Sequence, residues 1–341
     1  MTFNSLILIW FDKNKRNLPW RTHSNPYKIW LSEIILQQTR VAQGTEYYNQ
    51  FCKTFPNIES LANATEQEVL RLWQGLGYYS RARNLHHSAR YIVNELNGQF
   101  PNNYNDLLKL KGVGEYTAAA ISSIAFKEAK AAIDGNAFRV FSRYFDIDLD
   151  ISLHKTKKYF IELGNKLIDK HRPGDFNQAV MELGALVCLP KNPKCDSCPL
   201  NNSCAALMKN KIDQLPVKSK KVKVRHRNFN FLEITDGEHF LLNKRTQNDV
   251  WKSLFTFPLI ETKTKKWEVE SNSLDLTFKK SHQEIHILTH QKLNISFWKT
   301  ETTSHQLKEL SQQLKAEIFN LKQIEKLPLP KPIERYFSDI I

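Results

Sequence analysis

Four cysteines within seventeen residues are the feature that most constrains how this chain can fold. Six, two and five residues separate them, at Cys188, Cys195, Cys198 and Cys204. Thiolates packed this densely in one short loop are typical of a metal site, around which the loop then folds. The spacing alone is compatible with a zinc ion or with an iron–sulfur cluster.

Two disulfides are the alternative for four cysteines, and they would require an oxidising compartment. The first twenty residues do not favour one, because Asp12, Lys13, Lys15 and Arg16 interrupt their apolar run and no small-residue cleavage site follows. We therefore expect metal ligation and an intracellular location. Cys52 is the remaining cysteine, and it has no assigned role.

Length and charge set the broad class. With 341 residues, the chain has room for two domains that each bury a core. Its net charge of +14 favours a polyanionic partner, of which nucleic acid is the first candidate. No apolar run reaches the length of a membrane span, so we expect no membrane association.

The first 210 residues have the periodicity of helices. A capping-box pattern at Thr65–Glu68 is followed by apolar residues at helical spacing (Val69, Leu72, Trp73 and Leu76). The stretch 217–227 then contains six basic residues and no acidic one, which predicts an exposed linker.

Runs that resemble half-buried strands follow the linker, with one late helix at Ser304–Leu314. The predicted strands are Asn228–Thr235, His239–Asn243, Ser253–Leu259, Ile285–Leu288 and Lys292–Lys299. We expect an all-α domain over residues 1–210, a basic linker over 211–227 and a smaller α+β domain over 228–341.

Glu33 lies in the middle of an apolar segment, Lys28–Leu36, that predicts a buried helix. Burial raises the pKa of a carboxyl group, and a carboxyl protonated near neutral pH is suited to general acid catalysis. Pairing with a distant basic side chain is the other interpretation of Glu33.

Asp134 comes directly before a predicted helix, where an aspartate is often an N-cap. If the reaction breaks a glycosidic bond, a second carboxylate has another use, because it can stabilise or attack the cationic sugar.

Gly112 and Gly114 precede another helical segment. Two glycines at this spacing allow the backbone to approach a phosphate, and the helix directs its N–H groups at the anion. An ordinary turn would have the same pattern.

Six motifs in register resemble the adenine DNA glycosylases of the MutY type, within the helix-hairpin-helix superfamily. They are Leu18–Arg21, Trp30–Thr39, Gly75–Tyr79, Leu110–Gly114, Ile133–Asn136 and the four cysteines. The resemblance is close over residues 5–227. It implies a six-helix barrel beside a module with a [4Fe–4S] cluster, held by the cysteine loop 188–204, and a Nudix-like C-terminal domain.

The resemblance also implies roles for individual residues. Glu33 matches the general acid that protonates adenine N7, and Asp134 matches the carboxylate that stabilises or captures the oxocarbenium sugar. Tyr116 and Asn136 match residues that complete and orient this pair. Gln38 and Tyr78, with Gly112 and Gly114, match DNA-binding positions, the first two as wedges in the base stack.

Tyr116 also separates two branches of the superfamily. Endonuclease III-like members have a lysine at this position, whose amine forms a Schiff base and leads to strand cleavage. A phenol cannot form one, so we expect base removal without an efficient lyase step.

The C-terminal domain departs further from the family. It has no acidic R-E-x-x-E-E motif, so we expect no pyrophosphatase activity. Family members recognise 8-oxoguanine with a Phe-Ser-His loop, and the aligned residues here are Leu288, Thr289 and His290. Thr289 keeps the hydroxyl. A second Ser-His pair, Ser281–His282, has a charged lead-in that fits less well.

The sequence thus predicts a monomeric, nucleoid-associated enzyme that excises adenine opposite 8-oxoguanine or guanine in duplex DNA. Two alternatives stay open. One is an endonuclease III-like glycosylase for oxidised pyrimidines, against which Tyr116 argues. The other is a non-catalytic iron–sulfur sensor of damaged DNA, against which the presence of both Glu33 and Asp134 argues.

Overall fold

The structure is a computed structural model that describes residues 2–219, 223–264, 267, 274 and 276–338. Residues 220–222, in the middle of the basic stretch, lie outside this description. The chain divides into two compact units, of which the first comprises residues 1–63 and 84–220 and the second residues 64–83 and 221–341.

The N-terminal two thirds of the chain are helical, as predicted. The α-helices are α1 (Phe3–Asn14), α2 (Pro26–Leu36), α3 (Val41–Thr54), α4 (Ile58–Asn63), α5 (Glu66–Leu72), α6 (Ser80–Glu95), α7 (Tyr104–Leu107), α8 (Glu115–Phe126), α9 (Gly135–Tyr144), α10 (His154–Leu167), α11 (Pro173–Leu186) and α12 (Ala205–Met208). Short 3₁₀ turns lie at Pro19–Arg21, Cys195–Ser197, Asn201–Ser203 and Ile212–Gln214.

The predicted capping box is present at the start of α5. The Thr65 hydroxyl accepts from the Glu68 backbone N–H at 3.2 Å, and the Glu68 carboxylate accepts from the Thr65 N–H at 2.7 Å. The segment 64–83, which contains α5, belongs to the second unit. The domain division predicted from the sequence had placed these residues in the helical domain 1–210. Its Gln74 side chain accepts from the Leu329 N–H at 3.0 Å, and Arg83 donates to the Lys252 carbonyl at 2.8 Å.

The core of the first unit lies where α1, α9, α10 and α11 meet. Phe141 and Phe160 are fully buried there. Two of these helices approach closely at a glycine, since a Cβ at Gly184 of α11 would lie 2.5 Å from the Cβ of Asn136 in α9. A larger residue at position 184 would therefore displace Asn136.

The described residues of the second unit form a mixed sheet of seven strands. They are β1 (Arg225–Thr235), β2 (His239–Lys244), β3 (Phe255–Thr256), β4 (Leu259–Thr262), β5 (Lys279–Ile287), β6 (Gln291–Glu301) and β7 (Glu317–Asn320). The order is β3-β2-β1-β6-β5; β4 pairs with β1 and β7 with β2. Strands β1 and β6 are parallel, whereas β5 and β6 form an antiparallel hairpin.

Besides α5, the described residues of the second unit form three further helices, α13 (Ser304–Gln313), α14 (Leu321–Ile324) and α15 (Lys331–Ser338). The predicted late helix is thus confirmed. Helix α13 covers one face of the sheet through Leu307 and Leu310. Helix α15 covers the other face, where the Tyr336 ring stacks on Phe297 with 4.1 Å between ring centroids.

Two expectations for this region need correction. The strand predicted at Ser253–Leu259 is only Phe255–Thr256, because Ser253 has a positive φ of 68° and Pro258 lacks the N–H that a longer ladder needs. The exposed stretch expected up to residue 227 ends earlier, because β1 begins at Arg225 and Arg227 is buried.

Arg227 is buried because acidic partners surround it. Its guanidinium donates to both oxygens of Asp249 at 2.7 Å and to the two oxygens of Glu261 at 2.8 and 2.6 Å. The fifth N–H donates to the Gln291 side chain at 3.0 Å. A basic run in a sequence does not reveal that one member has these partners.

None of the helices in the described part of the chain combines the length and apolarity that crossing a membrane would require.

Candidate functional site

Helix α2 carries Glu33 to a cavity in the first unit. Most of the helix is buried, including Trp30, Leu31 and Ser32 just before Glu33. Glu33 lines a cavity of about 220 Å³ together with Tyr116, Asp134 and Asn136. The four residues matched to the family's catalytic positions therefore share one cavity.

The pKa of Glu33 is raised from its ordinary value to about 7. Removal from water is the main cause, and the nearby Asp134 carboxyl acts in the same direction. A hydrogen bond from Tyr116 and the charge of Arg21 oppose the shift. The carboxyl is thus partly protonated near neutral pH.

Asp134 is both an N-cap and a cavity residue. Its Oδ1 accepts from the Ala137 N–H at 2.7 Å, which caps α9, and its Oδ2 accepts from the Asn136 amide at 2.8 Å. Burial raises the pKa of Asp134, while these hydrogen bonds work against the increase. The two interpretations of Asp134 are thus compatible in the structure.

Tyr116 lies in the first turn of α8 and points at Glu33. Its hydroxyl donates to Glu33 Oε2 at 2.9 Å and contacts the Met181 sulfur at 3.2 Å. Burial, and then the neighbouring Glu33 and Asp134 carboxyls, raise the pKa of Tyr116 well above its ordinary value. The phenol therefore stays neutral and keeps the proton that it donates to Glu33.

An ion-pair group that the sequence did not reveal lines the same cavity. Arg16 and Arg21 donate to the buried carboxylate of Glu182 at 2.7 and 2.8 Å. Burial acts to raise the pKa of Glu182, but the hydrogen bonds from the two arginines prevail and lower it to about 2. The cavity thus contains a fixed anion as well as a carboxyl that can hold a proton.

The glycines before α8 have different conformations. Gly112 has a φ of +86°, and a Cβ there would lie 2.8 Å from the Cβ of Asn84. Gly114 is the N-cap of α8 and leaves the first amides of the helix without a side-chain cap. Gln38 is exposed just after α2 and has a φ of +58°.

The four cysteines of the loop line a single small cavity. None of them, nor Cys52, forms a disulfide. Burial is the main cause that raises the pKa of Cys198 to about 11, and the three other thiols add to it. Four sulfur atoms around one space, in a loop without disulfides, fit the donor set of an iron–sulfur cluster.

In the described residues no three His, Cys, Asp or Glu side chains are already arranged as ligands of one ion.

Two buried arginines of α9 hold the cysteine loop. Arg143 donates to the carbonyls of Leu189 and Leu215 at 2.7 and 3.0 Å and to the Cys188 sulfur at 3.4 Å. Arg139 donates to the Cys188 carbonyl at 2.6 Å. Neither arginine was predicted from the sequence as a site residue, although both lie on the buried side of the predicted helix.

Arg139 also reaches the catalytic candidates. It donates to Asn136 Oδ1 at 2.8 Å, and the Asn136 amide donates to Asp134. Hydrogen bonds thus run from the first cysteine of the loop to Asp134.

Tyr78, Thr289 and His290 lie in the second unit. The residues Leu288–Gln291 form the turn between β5 and β6, closed by a 2.8 Å hydrogen bond from the Leu288 N–H to the Gln291 carbonyl. Thr289 and His290 are the exposed central residues of this turn. The hydroxyls of Tyr78 and Thr289 are hydrogen-bonded to each other.

Three family models match the chain. The HhH-GPD superfamily base excision DNA repair protein model covers residues 31–166, and the iron–sulfur binding domain of endonuclease III covers residues 188–204. A NUDIX domain model covers residues 230–339. The iron–sulfur domain match begins at Cys188 and ends at Cys204, the first and last of the four cysteines.

An adenine DNA glycosylase of Buchnera aphidicola subsp. Schizaphis graminum is 36% identical over 350 residues, which span 98% of this chain and 97% of the relative. The chain belongs to the adenine DNA glycosylase family. The human adenine DNA glycosylase is 44% identical over 62% of this chain and 41% of its own length. Among solved structures, a thermostable thymine-DNA glycosylase has a TM-score of 0.56 at 31% identity, over 61% of this chain and 95% of that one.

Membership in the adenine DNA glycosylase family confirms several predictions. The chain is a DNA glycosylase of base excision repair, with a helical helix-hairpin-helix region and a Nudix-like C-terminal domain. Its cofactor is a [4Fe–4S] cluster, as the match over the cysteine loop indicates, and this resolves the choice between zinc and iron–sulfur.

Proposed function

We propose that this glycosylase excises adenine mispaired with 8-oxoguanine or guanine. The names of its relatives support the choice of adenine as the leaving base. The observation that carries the mechanism is the pairing of a carboxyl of raised pKa, Glu33, with a second carboxyl, Asp134, in one cavity. Breaking a glycosidic bond requires an acid for the leaving group and an anion for the sugar.

The reaction begins with extrusion of the adenine from the duplex. Gln38 and Tyr78 fill the space that the base leaves in the stack, and the base enters the cavity beside Glu33. Glu33 donates its proton to adenine N7, so the electrons of the C1′–N9 bond can move to a neutral leaving base.

Asp134 then stabilises the oxocarbenium sugar or captures it as a covalent ester. Water attacks C1′ and releases a proton, which the Glu33 carboxylate accepts, so the acid is restored. Asn136 fixes the orientation of Asp134 through their 2.8 Å hydrogen bond. Tyr116 orients Glu33, and it cannot form an imine with the sugar because it has no amine. The product strand therefore stays intact.

Cys188, Cys195, Cys198 and Cys204 would hold the cluster, whose contribution is to give the loop one fixed conformation on which DNA-binding groups are positioned. Arg143 and Arg139 support that conformation from α9. Gly112 and Gly114 lead the backbone N–H groups of α8 toward a phosphate of the bound strand.

The C-terminal domain, residues 228–341, reads the base opposite adenine with Thr289 and His290. The helical domain, residues 1–210, carries out the chemistry, and residues 211–227 connect the two. The enzyme acts as a monomer on chromosomal DNA inside the cell.

Single-turnover excision on a panel of duplexes tests this function. The panel pairs adenine with 8-oxoguanine, guanine or thymine, and adds thymine glycol paired with adenine. We expect excision only of adenine opposite 8-oxoguanine or guanine. The strand at the excision site should break only after treatment with alkali. Release of thymine glycol, or breaks without alkali, would favour the endonuclease III-like alternative.

A further inference from the structure

We propose that Tyr48 is a positioning residue for the cavity that receives the adenine. This role rests on the proposed function, in which the extruded base lies beside Glu33. Tyr48 is a buried residue of α3, and it contacts both ends of a short segment that carries Trp20 and Arg21. The side chains of Trp20 and Arg21 line the same cavity as Glu33.

The segment from Trp20 to His23 is held at two points by Tyr48. The Trp20 ring packs edge-to-face on the Tyr48 ring, with 5.4 Å between the ring centroids and 75° between the ring planes. The Tyr48 hydroxyl lies 3.1 Å from Nε2 of His23, within hydrogen-bond distance. Arg21 lies between these two points in the chain, so its backbone cannot shift without loss of one of the contacts.

The position of Arg21 affects both the base pocket and the acid. Its guanidinium donates to the Gln178 side chain and to the Glu182 carboxylate, each at 2.8 Å, and both acceptors line the cavity. Burial raises the pKa of Glu33, and the charge of Arg21 is one of the interactions that oppose this increase. A displaced Arg21 would therefore change the shape of the pocket and the proton affinity of Glu33.

Helix α3 is fixed to α2, the helix that carries the proposed acid. Near the start of α2, the Tyr27 hydroxyl donates to the carbonyl of Phe55, directly after α3, at 2.7 Å. At the other end of α2, a Cβ on Gly44 of α3 would lie 2.7 Å from Cδ2 of Leu36. Because the two helices are held together at both ends, Tyr48 fixes the segment from Trp20 to His23 relative to α2.

Cys52 lies one turn after Tyr48 in α3 and is hydrogen-bonded to its hydroxyl. Burial, and then the neighbouring Cys52, raise the pKa of Tyr48, so the phenol keeps its proton. A phenol hydroxyl has one proton, so it donates to one of its two partners and accepts from the other. With His23 and Cys52 both engaged, the hydroxyl has one fixed direction. Cys52, for which the sequence indicated no role, thus helps to hold Tyr48.

The test removes the contacts of Tyr48 one at a time in the holoenzyme. Tyr48→Phe keeps the ring against Trp20 and removes only the hydroxyl, whereas His23→Ala removes the partner of that hydroxyl. His23→Gln retains a side chain that can form a hydrogen bond. Single-turnover excision of adenine opposite 8-oxoguanine is measured with saturating enzyme from about pH 5 to pH 9. Tyr159→Phe, which removes the hydroxyl of an exposed tyrosine, is the control.

We expect Tyr48→Phe and His23→Ala each to slow excision by about tenfold, because a small displacement of the groups around the reacting atoms lowers the rate. The double variant should be no slower than either single variant, since both remove the same hydrogen bond. His23→Gln should be faster than His23→Ala, and Cys52→Ala should slow excision less than Tyr48→Phe because the contact with His23 remains.

The pH dependence separates positioning from a general loss of folded enzyme. In Tyr48→Phe the alkaline limb should move to higher pH, because a displaced Arg21 opposes the raised pKa of Glu33 less strongly. A loss of folded enzyme would lower the rate without moving the limb.

A parent-like rate with an unmoved alkaline limb in Tyr48→Phe would overturn the inference. A slowed Tyr48→Phe whose limb stays in place would overturn it as well. In both cases the parent would still excise adenine, and the proposed function would stand. A parent that excises no adenine from this duplex would instead contradict the proposed function.

Discussion

The Tyr116 hydroxyl donates a 2.9 Å hydrogen bond to Oε2 of Glu33, and this contact opposes the effect of burial on the acid. Without it the carboxyl would hold its proton to still higher pH. Tyr116 thus adjusts the proton affinity of Glu33. We propose that the same phenol occupies the place where an amine would allow strand cleavage.

Replacing Tyr116 by phenylalanine should shift the pH dependence of excision. A general acid must be protonated, so the single-turnover rate of the parent should fall as pH rises through about 7, where Glu33 loses its proton. Tyr116→Phe removes an interaction that lowers this pKa, so the alkaline limb should move to higher pH. Tyr159→Phe is the control. An alkaline limb that stays in place, or moves to lower pH, would contradict the assigned contact.

The raised pKa of Glu33 should also lower the free energy of unfolding at neutral pH. Its pKa is near 7 in the folded chain and ordinarily 4.5, so the unfolded chain releases this proton first as pH rises. The free energy of unfolding therefore decreases between these two values. The free energy of unfolding of Glu33→Gln, relative to that of the parent, should therefore increase by about 1–3 kcal/mol when the pH is raised from 5 to 8. Urea unfolding measures this, with the exposed Glu46→Gln as control. An equal pH dependence for parent and Glu33→Gln would exclude the raised pKa.

The position of Tyr116 predicts how the product strand behaves. The parent should leave it intact until alkali or heat is applied, and borohydride should trap no stoichiometric imine. Tyr116→Lys supplies the missing amine and should increase both strand cleavage and trapping. Trapping by the parent at the level of Tyr116→Lys would show that another amine reaches the sugar.

Arg143 should be needed to retain the cluster. Its buried guanidinium donates to the carbonyls of Leu189 and Leu215 and to the Cys188 sulfur, a set that a lysine ammonium cannot span. Anaerobically purified parent should contain about four irons per chain. Arg143→Lys should contain less iron and lose its brown absorbance faster in air, whereas the exposed Arg40→Lys should match the parent. Full iron content in Arg143→Lys would mean that the loop needs no such support.

The sequence predicted the features that depend on local pattern. The capping box at Thr65, the helix around Glu33 and the late helix α13 follow from side-chain chemistry within a few residues, and the structure has all three. The shared cavity of Glu33, Tyr116 and Asp134 could not be derived in this way. These residues lie far apart in the chain, and only matching of ordered motifs to a family brought them together.

What the sequence did not predict depends on long-range partners. From the sequence, Arg227 was predicted to be an exposed basic residue like its neighbours. Its burial depends on Asp249 and Glu261, which lie 22 and 34 residues further along the chain. Arg139 and Arg143 were likewise missed, since nothing near them identifies carbonyls of the cysteine loop as their acceptors. The signal in the sequence that could have identified Arg139 and Arg143 was a charged residue on the predicted buried face of a helix.

The most direct test of the central claim is single-turnover excision of adenine opposite 8-oxoguanine by the parent, Glu33→Gln and Asp134→Asn. Glu33→Gln cannot donate a proton, and Asp134→Asn offers no anion to the sugar. We predict a rate lower by several orders of magnitude for each variant, with binding of the same duplex retained because phosphate contacts lie elsewhere. Excision within a few-fold of the parent by either variant would contradict the role given to that residue.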